Sequence, residues 1–180
     1  MQRWFLIIIL PLLSIASCNE AADNTQAAQS TTPTIATNRK TVTGKVIGIS
    51  DGDTFRLLTD SNETVRVRLH GIDAPEKGQD YSTQSQQKLS ELIFSKQVVV
   101  EQKNKDRYGR VVGIAFVDRI NVNEEMLRSG LAWQYREYDK TEKWASIQTE
   151  AQQNKRGLWS MSLPTPPWEW RKEKKVVRGE

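Results

Sequence analysis

Three short clusters set charged side chains beside turn-forming residues. They are Asp51-Gly52-Asp53-Thr54, then Arg68-Leu69-His70-Gly71-Ile72-Asp73-Ala74-Pro75-Glu76, then Asp106-Arg107-Tyr108-Gly109-Arg110. Each alone has an ordinary reading: a tight turn, a surface loop, a solvated hairpin. Together they carry what phosphodiester cleavage requires. Hard cations such as calcium prefer carboxylate and carbonyl oxygens. Asp53 and Asp73 would meet if their two turns share one rim of a sheet. A phosphate under attack gathers negative charge on its equatorial oxygens. Arginine forks bind such oxygens bidentately, with a charge that does not titrate away. Arg68 and Arg110 are the natural pair. Glu76, outside the metal carboxylates, is a candidate to accept a proton from water.

These residues need a scaffold that brings three distant turns together. Val42, Val46 and Ile49 mark a strand-like stretch ending at Ser50. Asp51-Gly52 then reads as a two-residue hairpin turn, because Gly tolerates positive φ. Phe55 to Leu58 is a second strand. Glu63 to His70 alternates, with Val65, Val67 and Leu69 on one face and Arg66, Arg68 and His70 on the other. Val98 to Glu101 and Val111 to Val117 complete five strands.

Helices interleave with these strands. Leu89, Leu92 and Ile93 keep helical spacing within Ser82–Phe94. Asn123 is predicted to cap a short helix through Arg128 that Gly130 closes. Thr141 is predicted to cap another, with Trp144, Ile147 and Ala151 on one face and Gly157 as its stop. The pattern is α+β: a five-stranded OB-like β-barrel with about three packed helices.

Composition narrows the class. The chain has 180 residues, 37% hydrophobic and 27% charged, which suits a globular core. Its formal charge is +4. The segment Arg171–Glu180 holds five basic and two acidic residues, so the body is close to neutral. Affinity for a polyanion must therefore come from placed residues, not bulk charge. A single cysteine, Cys18, excludes an intramolecular disulfide, and a single histidine, His70, excludes a His/Cys zinc site. His70 reads as a residue of a strand's polar face, and Trp133, Trp144 and Trp159 read as core.

Residues 1–17 have the make-up of an export signal. Arg3 precedes an apolar run from Trp4 to Leu13, and Ser14, Ala16 and Ser17 are small. The run is too short for a membrane span, which needs about 20 apolar residues. Ile15-Ala16-Ser17-Cys18 resembles a bacterial lipobox, which implies acylation of Cys18; ordinary cleavage leaving a free thiol is the alternative. Residues 18–40 are polar and low in large apolar side chains, as expected of a linker. The expected organisation is a signal at 1–17, a lipidated linker at 18–40, a catalytic domain at 41–168 and a basic tail at 169–180. Asn19 following Cys18 is consistent with the outer membrane of a bacterial envelope.

The order and wording of the three clusters resemble the thermonuclease, or staphylococcal nuclease-like, family from about Thr41 to Trp159. Gly130-Leu131-Ala132 and Gly157-Leu158-Trp159-Ser160 fit as well. The resemblance implies a Ca2+-dependent nuclease. Asp53 and Asp73 match the calcium carboxylates, and Ala74 the position that ligates through its backbone carbonyl. Arg68 and Arg110 match the phosphate-contacting arginines, and Glu76 the catalytic glutamate. Tyr108 matches a tyrosine near the bound nucleotide, and Lys77 is a further substrate contact. Water would attack phosphorus and the 5′ oxygen would leave, giving 3′-phosphate ends on DNA, with RNA a second candidate substrate.

The sequence departs from that pattern in two places. A tyrosine near the nucleotide base falls at Arg136 here, between Tyr135 and Tyr138, and the loop after Glu76 is shorter. Pro166-Pro167-Trp168-Glu169-Trp170-Arg171 resembles a tail of some bacterial relatives. No obligate protein partner is implied. The alternative reading is a non-catalytic OB-like lipoprotein that holds nucleic acid without cutting it. It leaves the joint presence of Asp53, Arg68, Glu76 and Arg110 without a reason. A structural lipoprotein would make all three clusters coincidence.

Overall fold

The computed structural model describes residues 40–179. The expected signal, Cys18 and all but the last residue of the expected linker lie outside the described residues. The chain order is β1 (Thr41–Ile49), β2 (Thr54–Thr59), β3 (Thr64–Leu69), β4 (Ile72–Asp73), α1 (Ser82–Ile93), β5 (Gln97–Lys105), β6 (Val111–Val117), β7 (Ile120–Asn121), α2 (Val122–Arg128), β8 (Trp133–Gln134), α3 (Glu142–Gln153), a 3-10 turn (Gly157–Ser160) and α4 (Pro167–Arg178). Strands β3-β2-β1-β5-β6 pair as antiparallel neighbours, and β3 pairs with β6 in parallel. That last pairing closes five strands into the OB-like barrel that the strand pattern predicts.

Alternation along the strands decides what fills the barrel. Val67 and Leu69 of β3, Phe55 and Leu57 of β2, and Val98 and Val100 of β5 are all buried. Leu89 and Ile93 of α1 and Met126 and Leu127 of α2 join the same core. Each such side chain stabilises the fold by about 1.5–3 kcal/mol when fully buried. Trp144 and Trp159 are buried and Trp133 is partly so, which fits their reading as packing residues.

Three local expectations differ from the structure. Asp51-Gly52 is no positive-φ hairpin: Gly52 is absent from the left-handed residues. Glycine is needed there because a Cβ would collide with Ser85 Oγ and lie 2.7 Å from Ala74 Cβ. The cap of α2 is Asn121, whose side chain accepts from the Glu124 amide at 3.2 Å. Asn123 is instead fully buried, accepting from the Ala115 amide and donating to the His70 carbonyl, so it ties α2 to the barrel. Thr141 stands at the start of α3 without a side-chain capping bond.

Residues Pro167–Arg178, which take in most of the expected basic tail, form a helix. Proline at its first turn suits a helix start, where no amide donor is needed. Gly179, at φ 71°, closes it in the left-handed conformation. Trp168 stacks on Tyr135 with centroids 4.9 Å apart and planes 10° apart, and meets Trp133 edge-on at 5.7 Å. These contacts dock α4 beside β8.

Candidate active site

Strand register brings the first two clusters together. Asp53 immediately precedes β2, and Thr54 lies opposite Arg68 in the antiparallel β2–β3 pair. The Leu69 amide donates to the Asp53 carbonyl at 2.8 Å, which locks that register at the rim. The chain then turns through Gly71 and enters β4, where Asp73 pairs with Trp133 of β8. Parallel pairing of Val67 with Val111 sets Arg110, the residue before β6, at the same rim. The barrel thereby gathers carboxylates and arginines from three turns.

Asp53 and Asp73 share one guanidinium. Arg68 Nη1 lies 2.9 Å from Asp53 Oδ2, and Arg68 Nη2 lies 2.8 Å from Asp73 Oδ1. Arg68 Nη1 also donates to the carbonyls of Leu69 and Ile72. The Ala74 amide donates to Asp53 Oδ2 at 2.8 Å, so the two aspartates and Ala74 form one unit. Both carboxylates are buried, Asp53 at 6% exposure and Asp73 at 1%. Burial raises the pKa of Asp73 above its ordinary value, against the opposing pull of Arg171 and Arg68. Burial, together with the negative charge of Asp53, pushes Asp51 up to about 7.

Arg110 joins by a relay. Its Nη1 donates to Thr54 Oγ1 at 3.4 Å, and Thr54 Oγ1 donates to Asp53 Oδ1 at 3.0 Å. Asp106 holds its other end, accepting from Arg110 Nε at 2.7 Å. Tyr108 is exposed on the same turn, its carbonyl accepting from Arg66 and its ring flanked by Arg107 and Arg110. Lys77 is exposed in the turn after Glu76.

One residue of the cluster was invisible to sequence reasoning. Arg171 of α4 donates through Nη2 to Asp73 Oδ2 at 2.8 Å and through Nη1 to Glu76 Oε1 at 2.6 Å. It is the contact that joins Glu76 to the aspartates. The sequence signal was the dense Trp168-Glu169-Trp170-Arg171 run, which marks packing but not its target. Asp106 and Gln79 were likewise missed in their roles.

The donor set fits a hard divalent cation. Two buried carboxylates stand close enough to share a cation and need countercharge. In this structure arginine forks supply it. Among the described residues no three acidic, His or Cys side chains form a metal-holding group. A cation here would take two carboxylates and complete its shell from backbone oxygen and water, as calcium readily does.

His70 stands apart from this site. Its Nε2 lies 3.2 Å from Asp139 Oδ2, and burial lowers its pKa despite the attraction of Asp139. Tyr135, near the expected base position, is stacked on Trp168, and Arg136 pairs with Glu142.

The closed barrel with this rim is the architecture of an OB-like α+β nuclease domain. The family model described as staphylococcal nuclease homologue matches residues 66–161, more than half of the chain. The chain is 46% identical over 132 residues to an Escherichia coli protein named as an uncharacterized endonuclease, covering 73% of this chain and 86% of that one. A Haemophilus influenzae protein of the same description is 39% identical over 141 residues, covering 78% and 79%. A Shigella flexneri micrococcal nuclease is 38% identical over 143 residues, covering 73% and 82%. The chain belongs to the family of staphylococcal nuclease homologues.

Proposed function

We propose that this nuclease is a calcium-dependent enzyme that hydrolyses the phosphodiester bonds of DNA, and of RNA as a second substrate. Asp53, Asp73 and the Ala74 carbonyl would hold the cation. The observation that carries this reading is the convergence of Asp53 and Asp73 on one guanidinium, with Glu76 linked to the same unit by Arg171. When bound, calcium would supply Lewis-acid polarisation of a phosphoryl oxygen.

The remaining work falls to side chains of this chain. Glu76 accepts a proton from the attacking water. The new P–O bond forms as the bond to the 5′ oxygen breaks, and that oxygen leaves with the bonding electron pair and takes a proton from solvent to become a hydroxyl, while Glu76 returns its proton to solvent. The products then end in 3′-phosphate and 5′-hydroxyl. Arg110, held at one end by Asp106, offers its Nη atoms to the charge that develops on the equatorial phosphoryl oxygens. Arg68 is held through its Nη atoms by the two aspartates and by the Leu69 and Ile72 carbonyls, and its remaining N–H donors serve the phosphate.

We place the enzyme outside the cytoplasm, anchored through acylated Cys18 with residues 19–40 as a stalk. The export-like run and lipobox-like tetrapeptide support this placement.

Cleavage of labelled DNA with added calcium, magnesium or chelator tests the metal reading. Calcium should support turnover and magnesium little, because magnesium demands stricter octahedral geometry and holds its waters more tightly. Full activity in excess chelator rejects it. End analysis of the fragments tests the bond cleaved: 5′-phosphate ends would reject departure of the 5′ oxygen.

A further inference from the structure

We propose that the segment 165–171 is part of the active site and that Arg171 is a positioning residue for the Glu76 carboxylate. The inference rests on the nuclease reading of Glu76. Glu76 lies between β4 and α1 in a stretch without regular structure, and its side chain is 41% exposed. A glutamate so placed has freely rotating torsions, and ordering it costs entropy. Among the described residues, Arg171 is the hydrogen-bond partner of its carboxylate.

The geometry separates positioning from simple charge balance. Arg171 as a counterion to Asp73 would need only that contact. Its Nη1 is instead 2.6 Å from Glu76 Oε1 and 3.3 Å from Asp73 Oδ1, so the closer bond goes to Glu76. Nη2 meanwhile holds Asp73 Oδ2 at 2.8 Å. One planar fork therefore spans the base and a metal carboxylate, and its rigid shape sets their separation.

A second tie from the same segment holds the backbone of this turn. Gln79 Oε1 accepts from the Glu76 amide at 3.0 Å, while Gln79 Nε2 donates to the Thr165 carbonyl at 2.6 Å. Segment 165–171 thus holds the Glu76 carboxylate directly through Arg171 and its amide indirectly through Gln79. The grip is anchored independently of Arg171. Trp168 packs on Tyr135 and Trp133, and Trp133 is the β-partner of Asp73. Helix α4 and the aspartate therefore share one platform, which is how a residue 95 positions distant in the chain reaches Glu76.

The test is a double-variant cycle on the full chain, with Arg171→Ala, Arg171→Lys, Glu76→Gln and the Glu76→Gln/Arg171→Ala pair. Arg171→Ala should lower kcat about 10–100-fold, the range typical for losing an orienting partner beside a metal site. KM should change far less. Lysine should restore part of kcat, since it can meet one carboxylate but not bridge both. In the Glu76→Gln background Arg171→Ala should add little, because the group it positions is already inert. Effects that multiply across the pair overturn the proposal. So does an Arg171→Ala protein with wild-type kcat and tighter calcium binding by calorimetry, which would make α4 a competitor for the metal.

A readout without turnover is amide hydrogen exchange in chelator. Residues 76–81 should exchange faster in Arg171→Ala than in wild type while the barrel strands keep their rates; unchanged exchange at 76–81 overturns the proposal. Absence of DNA cleavage by the wild-type protein sinks the nuclease reading instead, and leaves the exchange measurement to decide whether Arg171 holds the turn.

Discussion

Asp106 grips Arg110 at two points: Oδ1 accepts its backbone amide at 2.9 Å and Oδ2 accepts its Nε at 2.7 Å. Burial acts to raise the Asp106 pKa, but the bonds from Arg110 and the Tyr108 amide outweigh it and hold the carboxyl below its ordinary range. The carboxylate therefore stays charged and fixes the guanidinium. With Nε engaged, the Nη atoms are the end that faces Thr54 and Asp53. Asp106→Ala should lower kcat by about 10–100-fold through loss of that orientation. Steady-state kinetics on DNA check it, and an Asp106→Ala enzyme with wild-type kcat would show that Arg110 finds its place unaided.

The two arginines of the site should differ in what their loss does. Arg110 sits at the edge of the aspartate unit, so Arg110→Ala should depress turnover by about 10²–10³, as for a lost donor to developing charge, with a small change in KM. Arg68 touches both aspartates and two carbonyls, so its removal takes a charge partner from each buried carboxylate: Asp73 keeps Arg171, while among the described residues Asp53 keeps only the Ala74 amide and the Thr54 hydroxyl. Arg68→Ala should therefore lower turnover and also thermal stability measured in chelator. Lysine should rescue neither fully. Near-wild-type cleavage by both alanine variants, with circular dichroism unchanged, would favour a module that binds nucleic acid without cutting.

His70 carries a pH signature separate from catalysis. Burial lowers its pKa from 6.5, so the folded protein resists protonation that the unfolded chain accepts. Below that value the unfolded state binds more protons, and stability falls as pH drops. Asp139 contributes in a lower window, because its pKa is held below 3.8: burial acts upward, and the bonds from Thr141 and His70 outweigh it. Between about pH 7.5 and about pH 5 the raised Asp51 carboxyl also titrates, so the histidine is singled out by comparing the melting temperatures of wild type and His70→Gln at both values. Wild type should lose more between them than His70→Gln does. Equal losses would show that His70 does not titrate with folding.

Cys18→Ser should move the protein from the membrane fraction to the soluble fraction while nuclease activity persists. Acyl chains contribute about 0.8 kcal/mol per buried methylene, so their removal abolishes firm attachment. Unchanged fractionation of the variant would reject lipidation at this position.

Much of the molecule was legible in one dimension. Strand alternation such as Val65-Arg66-Val67-Arg68-Leu69 and helical spacing such as Trp144, Ile147 and Ala151 are short-range records of which face is buried. They predict the barrel and three of its helices, and the three charged turns mark the rim. Asp53, Arg68 and Asp73 do meet there, because the register of β2 against β3 follows from those buried faces. Short-range chemistry was less reliable where packing competes with it. Gly52 is small because α1 and Ala74 crowd it, and Asn123 gave up a cap for a buried bridge to His70. The place of Arg171 was decided by tertiary structure alone. Trp168 and Trp170 beside it mark a helix that packs but not what it packs against, and the partners of Arg171 lie 95 and 98 positions away. Trp168 on Tyr135 brings that helix to β8, and two buried, like-charged aspartates then draw the nearest guanidinium, because a desolvated carboxylate without a cation is too costly to keep.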